Sequence, residues 1–365
     1  MNLKEQIKQS ETIELVDKGN VIAIYDRKEG NKFKIKWSEG ETKNEDEIYD
    51  IIMQILKQTT IDVFFDNIKY NKGMVVLSLF DGISCGRIAL ERANIKVKTY
   101  YASEIKKHAI KCSQEHYKDI IQLGDVTKIH YSNGILYTEN GEFNVGEIDL
   151  LIGGSPCQDF SIANKNRLGL EGMKSRLFYE YLRLLEEIKP KYFLLENVRM
   201  KKEAEKQLNS FLGVKGFHID SKLFSYQTRH RIYWTNLKIE EPKDLQINFQ
   251  DFKGIGDIDE AKVNKTPSRI RMWNDGVKKD FRTCKNITYC DKVGCITRKQ
   301  DRSPNSGLIA HQDFCRFLTR AELEMAQTLP IGYTKSLSYN QAQDVIGDGW
   351  TVDVVAHIFR SLNKL

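Results

Sequence analysis

No stretch of this sequence approaches the roughly 20 consecutive apolar residues that a membrane-spanning helix needs. The amino end, MNLKEQIKQSETIEL, is too charged for a secretion signal. Seven cysteines, an odd number without regular spacing, argue against a disulfide framework and for reduced thiols in a cytoplasm. CxxC does not occur and no His/Cys cluster has zinc spacing, so no metal site is expected. Internal repeats and low-complexity tracts are also missing. What is there, 365 residues at 41% hydrophobic and 29% charged, reads as an ordinary soluble protein with one large domain and an addition.

Charge is modest but unevenly placed. From Lys262 to Arg302, twelve Lys/Arg stand against four Asp/Glu, a local +8 that leaves −2 for the rest of a chain of net charge +6. A charge run is usually a solvated face. This one also carries Trp273, Phe281 and Tyr289, interleaved with Arg, Asn, Thr and Ser. A surface that follows phosphates and touches base edges has that composition. Arg269, Arg271, Arg298, Lys299 and Arg302 are the expected nucleic-acid contacts.

Residues 1–73 read as a small α+β unit. NVIAIYD, a turn at RKEGN and KFKIKW predict a hairpin, and NEDEIYDIIMQILKQ predicts a helix with capping-box spacing at Asn44 and Glu47. From Met74 short apolar strands alternate with helical stretches: MVVLSLF, VKTYYAS, DIIQLGD, IDLLIGG and KYFLLEN, with the helix SRLFYEYLRLLEEIK before the last. Such alternation predicts an α/β fold, a parallel sheet covered on both faces that binds ligands at the carboxyl ends of its strands. FHIDSKLFSY and RIYWTNL are expected to pair antiparallel at an edge. The expected divisions are 74–237 and 313–365 for the core, with 238–312 carrying the basic segment. TRAELEMAQTLP reads as a helix, and AQDVIGDGWTVDVVAHIFRSL as a turn and a final helix.

The unusual residues fall at predicted strand ends. In LFDGISCG, Gly82 and Gly86 let a ligand approach backbone N–H groups at a helix start. This is not the dinucleotide GxGxxG. Glu104 ends the second strand, where a carboxylate can hold two ribose hydroxyls. Asp125 ends the third, where it can accept from an adenine amino group. Each alone is an ordinary turn residue; three in order at successive strand ends point to a nucleoside-type cofactor. Cys157 follows Gly-Gly-Ser-Pro just beyond an apolar strand, not inside it as a packing cysteine would be. Glu196 ends the next strand. Arg229 and Arg231 stand at alternate positions leading into a strand, so they point the same way, as anion clamps or as surface arginines. A thiol adding at carbon 6 of cytosine turns carbon 5 into an enamine-like nucleophile, and a carboxyl group at nitrogen 3 stabilises the charge that builds there. Carbon 5 can then take a methyl group from a sulfonium donor without a metal, on a base flipped out of its helix.

From about Val75 onward the chain resembles the DNA (cytosine-5) methyltransferases, most of all the catalytic domain of the animal de novo enzymes. Its Lys-, Ile- and Asn-rich composition suggests a bacterial or phage member. The likeness rests on LSLFDGISCG, ASE, GDV, IGGSPCQDFSIAN, SRLFYEYLRLL, FLLENV, QTRHRIYWTN, FLTRAELEMAQTLP and VIGDGWTV, in family order. It implies a doubly wound, mostly parallel, Rossmann-like sheet that binds S-adenosylmethionine, and a cytoplasmic enzyme acting on double-stranded DNA. Cys157 becomes the nucleophile and Glu196 the group at nitrogen 3, while Arg229 and Arg231 steady the flipped base and its phosphate. Phe80, Asp81, Gly82, Cys85, Glu104, Ile105, Asp125, Val126 and Trp350 line the cofactor site, and Ser155 and Pro156 shape the thiol's loop. Residues 238–312 become the target-recognition region. The closing motif departs from the family's Gly-Asn with Gly347-Asp348, which bears on contacts to the cofactor or a neighbouring loop. Residues 1–73 have no counterpart in the catalytic family and suggest an SH3- or Tudor-like barrel. The family's de novo branch self-associates, and oligomeric state stays open here. Two other readings are a catalytically silent DNA-binding relative, which typically lacks residues kept here, and a tRNA cytosine-5 methyltransferase, whose Pro-Pro-Cys contrasts with Ser-Pro-Cys.

Because the 262–302 segment is placed to neutralise several phosphates, DNA affinity is expected to fall steeply with added salt. Affinity that stays flat across a salt titration would remove that segment from the DNA interface.

Overall fold

The computed structural model describes residues 10–17, 20–28, 32–35, 43–44, 47–48, 62–67, 73–155, 176–263, 266–267, 286–298 and 305–364. They divide into two units, Met1–Met74 and Val75–Leu365. In the first, β1 (Ser10–Asp17), β2 (Asn20–Lys28), β3 (Lys32–Ile35), β4 (Lys43–Asn44) and β5 (Asp62–Asn67) form one antiparallel sheet in the order β4-β3-β2-β1-β5. The hairpin expected from NVIAIYD and KFKIKW is β2–β3, with Tyr25 opposite Ile35. Of the helix expected over 44–58, Glu47 and Ile48 are helical and the rest lies outside the described residues, apart from Asn44 in β4.

In the second unit the expected alternation is realised. Chain order runs β6 (Met74–Leu79), α1 (Cys85–Arg92), β7 (Val97–Ser103), α2 (Lys107–His116) and β8 (Ile121–Gln122). A small meander follows, β9 (His130–Ser132), β10 (Ile135–Thr138) and β11 (Gly141–Asn144). Then come β12 (Leu150–Gly153), α3 (Arg176–Ile188), β13 (Tyr192–Val198), α4 (Lys202–Leu212), β14 (Phe217–Asp220) and β15 (His230–Thr235). Seven of these strands make one sheet in the order β14-β15-β13-β12-β6-β7-β8. Leu77, Leu79, Leu150, Leu151, Ile152, Leu194 and Leu195 are all buried, because both faces of a parallel sheet are covered.

Register positions the site. β12 runs parallel to β6 and β13, with Gly153 opposite both Leu79 and Leu195. The turns after β6 and β12 and the last residues of β13 therefore lie side by side. β15 is antiparallel to β13 and β14, the edge pair that the sequence predicts.

Beyond β15 lie α5 (Ile258–Ala261), β16 (Lys262–Val263), β17 (Ile309–Ala310), β18 (Cys315–Arg316), α6 (Arg320–Ala326), α7 (Tyr339–Asp348) and α8 (Val352–Phe359). The turn expected in AQDVIGDGW is a correction: those residues continue α7 through Asp348, started by a Ser338–Gln341 capping box. Thr319 caps α6 in the same way with Glu322. Glu322 also takes two hydrogen bonds from the Arg316 guanidinium, at 2.6 and 2.9 Å, and one from the Gly254 N–H at 2.7 Å. Arg316 and Glu322 are both fully buried. Removing one member leaves the other as an uncompensated buried charge, so Glu322→Ala is expected to lower unfolding free energy by about 3–5 kcal/mol in urea titration. A change below about 1 kcal/mol, the scale of an exposed pair, would contradict this.

Candidate active site

The turn after β6 bends sharply, with Phe80 and Gly82 both at positive φ. A Cβ at Gly82 would point into open space, so the turn leaves room for a ligand against the backbone. Its shape is fixed from several sides. The Gly82 N–H donates to Glu104 Oε2 at 2.8 Å, and the Asp81 N–H donates to the Ser103 carbonyl at 3.0 Å. The Asp81 carboxylate accepts from Tyr100 and Ser84, and burial raises its pKa. Glu104 Oε1 accepts from the N–H groups of Ile105 and Lys106, at 2.8 and 2.9 Å. Beside it Ile105 is 69% exposed, an apolar side chain left uncovered at the rim. Asp125 is half-buried at the end of the β8 segment, next to buried Val126. Cys85 lies deeper: its thiol is buried, sits under Gly349, and is pushed by burial up to about 12.

Glu196 lies one residue past the Leu195–Gly153 pair and is almost fully buried. Arg231 Nε stands 2.9 Å from its Oε1, and Trp350 Nε1 donates to its Oε2 at 3.1 Å. A Cβ at Gly154 would come within 3.0 Å of that carboxylate and 2.8 Å of the indole nitrogen. Asn197 Nδ2 donates to Ser155 Oγ at 3.1 Å, which ties the start of the thiol's loop to β13. Sequence reasoning left Asn197 unused, although an amide directly after the strand-end acid was visible in FLLENV. Pro156 and Cys157 lie outside the described residues, as do Arg269, Arg271, Lys299 and Arg302.

The two arginines read as a pair do point the same way, since both reach the Cys295 sulfur, Arg229 Nη1 at 3.5 Å and Arg231 Nη2 at 4.0 Å. Burial pushes this thiol's pKa up, and the two guanidiniums together outweigh burial and bring it below the usual value. Otherwise the pair divides. Arg231 meets Glu196, whereas Arg229 is buried and donates to the carbonyls of Ile296, Gly347 and Gly349, at 2.7, 3.1 and 2.9 Å. Asp348, the departure from the family pattern, stands 2.5 Å from Lys106 Nζ and 3.5 Å from Arg298 Nε. Neither Cys295 nor the Asp348 contacts have a signature in sequence, because the partners come from distant segments.

A family model described as C-5 cytosine-specific DNA methylase matches residues 74–364. The chain belongs to that family. Among curated relatives, the orphan methyltransferase M.SPRI of Bacillus phage SPR is 32% identical over 213 residues, 54% of this chain and 45% of that protein. The type II methyltransferase M1.ScrFI of Lactococcus lactis subsp. cremoris is 29% identical over 276 residues, 71% of this chain and 66% of that protein. The chain thus spans about half the length of the phage relative and about two thirds of the lactococcal one. Among solved structures, the Entamoeba histolytica methyltransferase EhMeth aligns with a TM-score of 0.62 at 15% identity, covering 79% of this chain and 97% of that one. The S. pombe Dnmt2 methyltransferase aligns at 0.60 and 17% identity, covering 80% and 98%. These likenesses show the fold, the Rossmann-like sheet of S-adenosylmethionine-dependent methyltransferases.

The cytosine methylase family is S-adenosylmethionine-dependent, and the residues present fit that group. An open backbone turn at Gly82, carboxylates at two further strand ends and an uncovered apolar side chain at Ile105 suit a nucleoside with a hydroxylated sugar. Among the described residues no group of three or more His, Cys, Asp or Glu could hold a metal, and no helix is long and apolar enough to cross a membrane.

Arg229 tests whether a site residue acts by structure or by substrate contact. Arg229→Met removes the guanidinium donor from the buried Ile296 and Gly347 carbonyls, while Gly349 keeps Gln327 Nε2, and is expected to lower stability by about 2–4 kcal/mol in urea. An unchanged unfolding midpoint with lost DNA affinity would put its guanidinium on the substrate instead.

Proposed function

We propose that this chain methylates carbon 5 of cytosine in double-stranded DNA at a specific sequence, in the cytoplasm of a bacterial or phage-infected cell. The observation that carries the reading is the grip on Glu196 by Arg231 and Trp350, next to the Gly153–Ser155 turn that leads into Cys157. An acid in a nearly water-free position, oriented from two sides beside a thiol-bearing loop, suits a base that must be protonated or polarised on its ring edge.

Each chemical step then has a residue. The Cys157 thiolate adds to carbon 6 of a cytosine swung out of the duplex, and the ring electrons move toward nitrogen 3. Glu196 faces that edge in its acid form, donates its O–H to nitrogen 3 as the charge builds, and takes the proton back when the sulfur leaves. Arg231 and Trp350 each hold one of its oxygens, which orients the group toward the base. Arg231 fixes the plane of the carboxylate. Phe80, Asp81 and Gly82, with Glu104, Ile105, Asp125, Val126 and Trp350, are assigned to hold S-adenosylmethionine. Bound there, it supplies an electrophilic methyl group to carbon 5. Loss of the carbon 5 proton to a base and departure of the Cys157 sulfur restore aromaticity. Arg298, with Arg269, Arg271, Lys299 and Arg302, is assigned to DNA, and residues 238–312 to target recognition.

A duplex carrying 5-fluorocytosine at its site cannot lose the last proton, so it is expected to trap a covalent adduct stable to denaturing electrophoresis. Cys157→Ala is expected to give no adduct and no methyl transfer while keeping its affinity for S-adenosylhomocysteine. An adduct that persists in that variant would overturn the nucleophile. Label appearing on tRNA and not on duplex DNA would reassign the substrate.

A further inference from the structure

The β9–β11 meander lies outside the set of residues assigned above, yet its tip reaches the cofactor edge. The turn between β10 and β11 is held in shape by Thr138, whose hydroxyl donates to the Gly141 carbonyl at 2.9 Å and accepts from the Asn140 N–H at 3.1 Å. From that turn Asn140 Nδ2 donates to the Gln122 carbonyl at 3.3 Å, and Glu139 Oε1 accepts from the Asp125 N–H at 3.0 Å. The carboxylate fits because residue 124 has no side chain. A Cβ at Gly124 would come within 2.4 Å of Glu139 Oε1.

The same peptide unit is gripped at its other end. Ser103 Oγ, beside Glu104, donates to the Gly124 carbonyl at 2.8 Å. The carbonyl of Gly124 and the N–H of Asp125 belong to one planar group. With Ser103 on one pole and Glu139 on the other, that plane cannot rotate without losing a bond. Its orientation sets where the Asp125 side chain leaves the backbone. One Asp125 oxygen is already committed to the Thr127 N–H at 2.9 Å, so the direction of the carboxylate is fixed as well.

We propose that Glu139 is a positioning residue of the cofactor site, which holds Asp125 so that the site prefers a purine bearing a 6-amino group. This rests on the assignment of Asp125 to adenine under the proposed function. The chemistry is specific: a carboxylate oxygen held in place accepts from an amino group and repels the carbonyl oxygen of a 6-oxopurine. A carboxylate free to swing discriminates less.

The test is calorimetric and uses the full chain without DNA. Wild type is titrated with S-adenosylhomocysteine and with its deaminated analogue S-inosylhomocysteine, and is expected to prefer the first. Glu139→Ala is expected to weaken S-adenosylhomocysteine about three- to tenfold, the scale of one hydrogen bond, and the deaminated analogue far less, so that the preference shrinks. Glu139→Gln keeps an acceptor oxygen for the Asp125 N–H and is expected to restore the preference. A preference unchanged in Glu139→Ala, or equal weakening of both ligands, overturns the role of Glu139. A wild type that binds both ligands equally overturns it by removing Asp125 from the adenine.

Discussion

A guanidinium taken out of water must find partners, and Arg229 finds them in backbone. Its donors go to carbonyls of two segments far apart in sequence, Ile296 on one side and Gly347 and Gly349 on the other. Together with Gln227, which accepts from the Ile296 N–H, and Gln327, which donates to the Ile346 and Gly349 carbonyls, this buried charge holds the end of α7 and the chain at 295–298 beside the start of β15. Trp350 follows directly on Gly349, so its indole is delivered to Glu196 by the same anchor. Main-chain carbonyls alone leave a positive charge under-compensated, and the lowered pKa of the Cys295 thiol is the response of the nearest ionisable neighbour to two such charges.

The spacing Arg-His-Arg divides two tasks between side chains that leave the same face of the strand. Arg229, at the buried entry to β15, donates to three main-chain carbonyls. Two residues on, Arg231 sits opposite Val198 and beside Glu196, where it still holds a carboxylate at the site. A strand repeats its facing every second residue, so both guanidiniums point to one place while their depth differs. That is why the pair looked equivalent in sequence and is not equivalent in space.

The sheet was legible because β6, β12 and β13 are apolar runs closed by glycine or acid, a pattern that period and composition reveal. The carboxylates Glu104 and Asp125 were legible for the same reason, since strand ends announce themselves. What the sequence did not give away is contact between segments remote from one another. Asn197 on Ser155, Cys295 between two arginines and Asp348 between Lys106 and Arg298 each join such segments. The meander was missed for another reason. SNG and ENG, at 132–134 and 139–141, are turn signals, but the three strands they join are only three or four residues long, and the outer two, HYS and GEFN, carry few apolar side chains. In α7 the expected turn failed because Gly347 is there for contact, not for bending. A Cβ would strike the Thr297 carbonyl carbon at 2.6 Å and the Arg298 nitrogen at 2.7 Å, so the helix runs through glycine to let that chain lie flush.

The same contact explains what the aspartate after Gly347 does. Helix α7 lies against the backbone at 297–298 from one side and Asp348 meets Lys106 on the other. Lys106 is two residues past Glu104, whose carboxylate accepts from its N–H, and Arg298 is one of the arginines assigned to DNA under the proposed function. An asparagine there keeps hydrogen bonds but balances neither cation. With aspartate, two positive side chains share one carboxylate, and the like charges are held together where they would otherwise repel. Pairs this exposed each contribute little, since water and salt screen them. Their effect is therefore geometric more than energetic: Lys106, after β7, and Arg298, in a distant segment, meet at one residue of one helix.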